Sequence, residues 1–350
     1  DPAQVAAVGL PAVVKASAGG GGKGMRVVRS EGELAEAVEA CRREALAAFG
    51  DETVYLERYL DRPRHVEIQV FGDVHGRVVA LGERECSLQR RHQKVIEESP
   101  SPAVSPDLRR RMGDAAIAAA KSVGYVNAGT VEFLLDASGE FYFLEMNTRL
   151  QVEHPVTEEA FGVDLVALQI AVASGEALPA DLPTEPLAHA IEARVYAEDA
   201  ENGFLPQTGD VLVYEEPSGP GIRVESGIEA GNTISIYYDP MLAKIVARGR
   251  DREEARRRLV AALRDTVILG VTTNVPYLRR VLESEAVAAG DLDTGLLERW
   301  SPPAPPPPGE RVFSAAARAF ASPPGPSRSA DGSGPAHPDP FAAGAFRVLA

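Results

Sequence analysis

The chain has 350 residues, enough for roughly two domains that bury their own cores without disulfides or structural metals. Its 36 Lys+Arg against 51 Asp+Glu give a formal net charge of -15, which repels nucleic acid and anionic membrane, so any bound anion needs a local exception. Cys41 and Cys86 have neither metal-like nor disulfide spacing, and there is no signal peptide and no apolar run near ~18 residues; a cytoplasmic protein with reduced, buried thiols is expected.

The chain opens at Asp1 and runs straight toward a strand, which reads as part of something longer. Residues 12–15 and 25–28 are short β-type runs on either side of a glycine loop. Ser30 followed by Glu33 is a capping-box start, predicting a helix to about residue 49. Residues 54–59, 65–71 and 78–81 read as strands of an antiparallel sheet, with Gly72-Asp73 and Gly76 as turn signals. Ser105-Pro106-Asp107 caps a helix running to about residue 123, and two strands follow around the turn at 136–139. A helix is predicted over 165–174. Strands at 189–196, 211–214, 222–224 and 244–248 then precede a helix over 252–264. Composition and punctuation divide the chain at 1–60, 61–182, 183–300, a Pro/Ala/Gly/Ser-rich linker at 301–338, and the start of a following domain at 339–350.

The loop G-G-G-G-K-G at 19–24 contains G-x-G-x-x-G, but a dinucleotide fold needs a helix directly after it, and residues 25–28 look like strand. A Walker A loop needs Ser or Thr after Gly-Lys, and Gly22-Lys23 is followed by Gly24. What remains is a strand-loop-strand flap whose backbone N–H groups close over phosphates, with Lys15 and Lys23 supplying charge. A mere hairpin tip explains glycines, though hardly five of them flanked by lysines.

Across a four-residue turn at 136–139, opposed residues sum to an odd number such as 275, so Thr130 is expected to face Glu145 with Glu132 diagonal to it at roughly 7 to 8 Å. While the chain stays extended, Glu145, Asn147, Arg149, Gln151 and Glu153 share one face. An ordinary half-buried strand explains the alternation, but not this choice of groups. Glu132, Glu145 and Asn147 are hard oxygen donors suited to Mg²⁺ or Mn²⁺. Arg149 can hold a planar oxyanion, and Glu153 could accept a proton. The basic run from Arg84 to Lys94, interrupted by uncharged residues, is expected to be a shaped pocket drawing in anions rather than a solvated face.

Four motifs, G-G-G-G-K-G-M (19–25), R-H-V-E-I-Q-V (64–70), C-S-L-Q-R-R-H-Q-K (86–94) and E-M-N-T-R-L-Q-V-E-H-P (145–155), occur in the order found in biotin carboxylases, which the chain resembles over residues 9–300. The resemblance implies an α+β architecture: an ATP-grasp fold of lid plus antiparallel-sheet subdomain, followed by a biotin carboxylase C-terminal α+β domain. It implies ATP-dependent carboxylation of carrier-bound biotin with bicarbonate through carboxyphosphate. Lys15, Gly20, Gly21, Gly22 and Met25 then belong to the phosphate flap, and Glu57, Arg58 and Leu60 to the hinge beside adenine. His65, Gln89 and His92 match the remaining nucleotide contacts, and Glu132, Glu145 and Asn147 the metal site. Lys94 and Arg149, with the backbone near Gln151 and Val152, match the bicarbonate pocket; Glu153 matches its base, and Arg194 the residue that stabilises the biotin enolate.

Implied partners are a biotin carboxyl carrier domain or protein and a carboxyltransferase subunit, within a homodimer or larger complex. Residues 339–347 lean toward the acyl-CoA carboxylase α-chains. The resemblance also implies an N-terminal α/β domain and a biotin-attachment motif, neither of which has a counterpart in this sequence, so the expectation is a piece that turns over little by itself. The alternatives are another ATP-grasp ligase or a non-catalytic assembly piece.

Overall fold

The structure, a computed structural model, describes residues 8–18, 24–91, 93–300 and 302. The expectations placed on Gly20, Gly21, Gly22, Lys23 and His92, on nearly all of the linker and on residues 339–350 lie outside the described residues.

Near the start, β1 (Ala12–Ala16) lies antiparallel between β2 (Met25–Val28) and β3 (Val54–Arg58). Helix α1 (Glu31–Phe49) covers this sheet, and its residues Ala37 and Cys41, four apart on one face, pack on Val14 and Val28. The expected capping box is rearranged. Glu33 accepts from the Arg29 N–H at 2.9 Å and from Ser30 Oγ at 2.9 Å. Gly50, left-handed at φ 74, ends the helix by donating to the Leu46 carbonyl.

The rest is organised by an eight-stranded antiparallel sheet among the described residues. Its strands are β4 (Arg64–Gly72), β5 (Val78–Arg90), β6 (Gln93–Ser99), β7 (Asn127–Leu135), β8 (Phe141–Asn147), β9 (His189–Tyr196), β10 (Ile222–Ser226) and β11 (Met241–Gly249). Their order is β10-β11-β9-β6-β5-β4-β7-β8. Two features add to the sequence reading. The strand expected to stop at residue 81 continues to Arg90 and returns as β6, so the basic run is a strand pair, and its residues from Arg84 to Leu88 are buried on both faces whatever their charge. The division expected at residue 183 is also spanned by the sheet, because β9 pairs with β6 (Ile96↔Ala193, Glu97↔Glu192).

One face of this sheet is covered by long helices. Helix α2 (Pro106–Ser122), capped by Ser105 Oγ, sets Met112, Ala116 and Ala120 against Val66, Ile68 and Phe133. Farther along, α5 (Arg252–Asp265) and α6 (Val275–Glu283) set Leu259, Leu263 and Leu278 against Ile191, Val195 and Ile245. The opposite face carries the alternate residues, many charged, under the short helix α3 (His154–Phe161), which α4 (Leu165–Ala173) follows. Gly82 lets α3 settle there: its φ is +72, and a Cβ would meet the Phe161 ring at 2.0 Å. No helix among the described residues is long and apolar enough to cross a membrane.

Candidate active site

The β7–β8 pairing sets Glu132 directly opposite Glu145 and Thr130 opposite Asn147. The expected pairing of Thr130 with Glu145 is replaced for two reasons. The turn is a five-residue loop, because the Asp136 carboxylate accepts from the N–H groups of Ser138 at 2.8 Å and Glu140 at 3.1 Å. A bulge between Glu132 and Phe133 then adds a second one-residue step. Two single steps restore the odd parity, so the carboxylates still share a face. Asn147 Nδ2 donates to Glu132 Oε1 at 3.0 Å and Glu145 Oε1 at 3.4 Å.

The shared odd-numbered face ends at Asn147 with β8 itself. Glu153 reaches the site by another route: the chain turns, and Glu153 becomes the residue preceding α3, buried against the sheet. Arg149 stays exposed and donates to Gln151 Oε1 at 3.0 Å, while Gln151 donates onward to Thr130 Oγ1 at 3.2 Å. Lys244 holds the Val152 carbonyl at 2.8 Å.

At the centre, Lys94 Nζ donates to Glu153 Oε1 at 2.6 Å, Glu67 Oε2 at 2.6 Å and Glu132 Oε1 at 3.0 Å. Arg194 Nη2 donates to the other oxygen of Glu153 at 2.9 Å and also pairs with Glu97. His65 Nε2 meets Glu132 Oε2 at 2.8 Å. Beneath them Arg84, wholly buried, meets Glu67 at 2.5 Å, Gln69 at 2.7 Å and Thr157 at 2.8 Å. Burial works against a charged Lys94, yet the ring of carboxylates keeps its ammonium protonated well above the ordinary lysine range. Burial likewise opposes the Glu132 charge, and the hydrogen bond and charge of His65, with Lys94, hold that carboxyl well below its usual range. Cys86, beside this cluster, has its thiol pushed well up by burial, in keeping with an inert buried cysteine.

One cleft of about 1450 Å³ collects every described residue of the sequence prediction: Lys15, Met25, Glu57, Arg58, Leu60, His65, Gln89, Lys94, Glu132, Glu145, Asn147, Arg149, Gln151, Val152, Glu153 and Arg194. Lys15 and Glu57 form an ion pair on its lid side, and Arg58 lies 5.5 Å over the Tyr142 ring, linking β3 to β8. Of the basic run, only part faces the cleft. Gln89 and Lys94 line it, Arg84 is sealed beneath it, and Arg90 turns away to Glu198 at 2.8 Å and the Phe204 ring.

For a divalent cation, the donor chemistry fits at Glu132, Glu145 and Asn147, whose side chains carry oxygen donors and meet at one part of the cleft. The tighter groupings His65–Glu67–Glu132 and Glu67–Cys86–Glu153 already enclose Lys94 and Arg84, whose charges do a metal's work there. Sequence reasoning missed Glu67, Arg84, Glu97, Glu192 and Lys244. Their alternation within β4, β5, β6, β9 and β11 was a possible signal, but which face it served depends on register across five strands.

Residues 2–181 match the family described as "Carbamoyl-phosphate synthase L chain, ATP binding domain", which places the chain among ATP-binding ligase-type folds. Residues 192–299 match "Biotin carboxylase C-terminal domain", and together the two matches make this chain a member of the biotin carboxylase family of ATP-grasp proteins. It is 50% identical over 295 residues to the mitochondrial methylcrotonoyl-CoA carboxylase α-chain of Glycine max, covering 84% of this chain and 40% of that one. It is 51% identical over 293 residues to the mitochondrial propionyl-CoA carboxylase α-chain of Mus musculus, covering 83% of this chain and 40% of that one. Among solved structures, the biotin carboxylase complex with a βγ-ATP ligand from Campylobacter jejuni superposes with a TM-score of 0.81 at 44% identity, covering 85% of this chain and 66% of that one. The biotin carboxylase domain of 2-oxoglutarate carboxylase from Hydrogenobacter thermophilus, in complex with MgADP, ADP and bicarbonate, gives 0.79 at 43% identity, covering 84% and 65%. The chain thus spans 40% of the length of each of these two curated relatives.

Proposed function

We propose that this chain carries the nucleotide and bicarbonate chemistry of biotin carboxylation: ATP phosphorylates bicarbonate, carboxyphosphate yields CO₂ and phosphate, and a biotin ureido nitrogen captures the CO₂. The observation that carries this reading is the grip of Lys94 and Arg194 on the two oxygens of Glu153. That grip leaves a carboxylate base between two cations, where a small planar anion has charge partners and a proton acceptor at once. In this reading Glu153 takes the bicarbonate proton, Lys94 and Arg149 hold the anion, and Arg194 meets negative charge developing on biotin. Lys15, Gly20, Gly21, Gly22 and Met25 cover the phosphates. Glu57, Arg58 and Leu60 meet adenine, and His65, Gln89 and His92 complete the nucleotide contacts.

Glu132, Glu145 and Asn147 would hold Mg²⁺ or Mn²⁺, which when bound neutralises phosphate charge. We further assign residues 1–60 to the lid, 61–182 to the main ATP-grasp subdomain and 183–300 to the C-terminal domain. A biotin carboxyl carrier and a carboxyltransferase are the expected partners, in a homodimer or larger cytoplasmic complex. An acyl-CoA as final acceptor is the reading that the sequence of residues 339–347 supports. The test is biotin-dependent ATP cleavage by the intact enzyme. Glu153→Gln is expected to lower kcat by about 10²- to 10⁴-fold, as removal of a general base does; unchanged turnover would refute the assignment.

A further inference from the structure

Behind Glu153 and Arg194 lies an acid pair to which neither the family resemblance nor the comparisons assign a role. Glu97 on β6 and Glu192 on β9 are directly opposed across the sheet, and neither is exposed to solvent. Glu97 contacts the Arg194 guanidinium. Among the described residues neither acid has a hydrogen-bond partner for a carboxyl oxygen, so what separates them is the ion-pair contact with Arg194, which Glu97 has and Glu192 lacks. An ionised carboxylate placed as Glu192 is would carry a desolvation cost of several kcal/mol with no hydrogen bond or ion pair to offset it.

The surrounding charges point the same way. The carboxyls of Glu97, Glu192 and Glu153 face Arg194 and Lys94, three potential anions against two cations, and Lys94 already serves Glu67 and Glu132 as well. Lys244, the next cation along the sheet, is taken by Glu225 at 2.5 Å and by the Val152 carbonyl. From α3, Glu158 is paired with Arg223 at 2.7 Å, and His154 bonds the Gln151 carbonyl. Among the described residues, Glu192 makes no ion pair of its own; Lys244 and Arg194 act on it only at longer range, and burial and Glu97 outweigh them.

We propose that Glu97 is a positioning residue that holds the guanidinium of Arg194 against Glu153, and that Glu192 stands opposite it as a neutral carboxylic acid, so that only one negative charge of the pair bears on the arginine. Burial raises Glu97 to about 7, against Arg194, and raises Glu192 well above the usual carboxylate range, with Glu97 adding to the effect. The protonated partner keeps Arg194 from being over-neutralised and leaves its charge available to an anionic ligand, while Glu97 fixes where that charge sits.

The inference rests on the assignment of Arg194 and Glu153 above, and its test separates the two. Infrared spectroscopy of the intact enzyme at neutral pH is expected to show the carbonyl stretch of a protonated carboxyl that Glu192→Gln removes; absence of that band overturns the proposal. For Glu97→Gln, kcat/KM for biotin should fall about tenfold, equivalent to about 1.4 kcal/mol, with the KM for MgATP unchanged and the acid limb of the biotin pH profile displaced. An equal loss for ATP, or no displacement of the limb, would mean that Glu97 only supports the fold and overturns the positioning role. A wild-type enzyme inactive toward biotin would sink the functional reading, while the infrared band still decides the protonation of the pair.

Discussion

In the lid, Arg42 pairs with Glu52 at 2.8 Å and Arg26 with Glu44 at 3.1 Å, with each of the four side chains at least 39% exposed. Under α3, Arg84 pairs with Glu67 at 2.5 Å with both side chains at 0%. The distances are similar, but the consequences differ. Water screens the lid pairs, so the lid's geometry rests on its small apolar cluster of Val14, Val28, Ala37 and Cys41. The sheet pairs are desolvated, and each member is held because losing its partner would strand a buried charge. The cleft is thus built from one lightly tied wall and one tightly tied floor.

Three experiments bear on that contrast. The largest effect is expected for Arg84→Met, which leaves Glu67 with Lys94 alone. Chemical denaturation should show a loss of about 3–5 kcal/mol, as when one partner of a buried pair is removed, whereas a loss like that of a surface substitution would mean the floor is no more tightly tied than the lid. The second concerns pH. Glu97 has a raised folded-state value, about 7, so the folded state binds a proton that the unfolded chain has already released. Its contribution to stability is complete below the unfolded value of about 4.3 and is lost as pH rises toward 7. Glu98 acts oppositely: burial opposes its charge, but His189 and Arg252 hold it below the usual range, so its contribution is lost as pH falls through the folded value. The Tm should therefore decline by on the order of a few degrees from pH 5 to pH 8, and Glu97→Gln should flatten that decline. A wild-type Tm that rises over this interval, or an unaltered slope in the variant, contradicts the sign. Smallest of all, Arg42→Ala in the lid should leave the Tm unchanged within error, and a measurable drop would erase the distinction between the two regions.

Much of this could be read from residue types alone. The strands β1 and β2, α1 and its stop near Phe49, α2 behind Ser105, and α4 and α5 all follow local capping and periodicity. Harder to read was the stretch from Arg84 to Ser99, because a charged run gives no apolar alternation when the face it buries is itself polar. Residue types alone place Glu153 on an extended strand. Its place before α3 depends on Pro155 entering a helix and on Gly82 admitting Phe161.

The sequence by itself determined which chemical groups the chain brings and in what order, since motif spacing is a property of the covalent chain. It also determined that Glu132 and Glu145 share a face, because parity survives two single-residue steps. Only the tertiary structure decided that Lys94 and Arg194 converge on Glu153, that β9 continues the sheet begun by β4 to β8, and that Glu97 faces Glu192. Those neighbours are 41 to 95 positions apart in the chain, as in Arg194 with Glu153 and Glu192 with Glu97. Their proximity comes from antiparallel register summed over several strands, where a one-residue slip would turn each group to the opposite face.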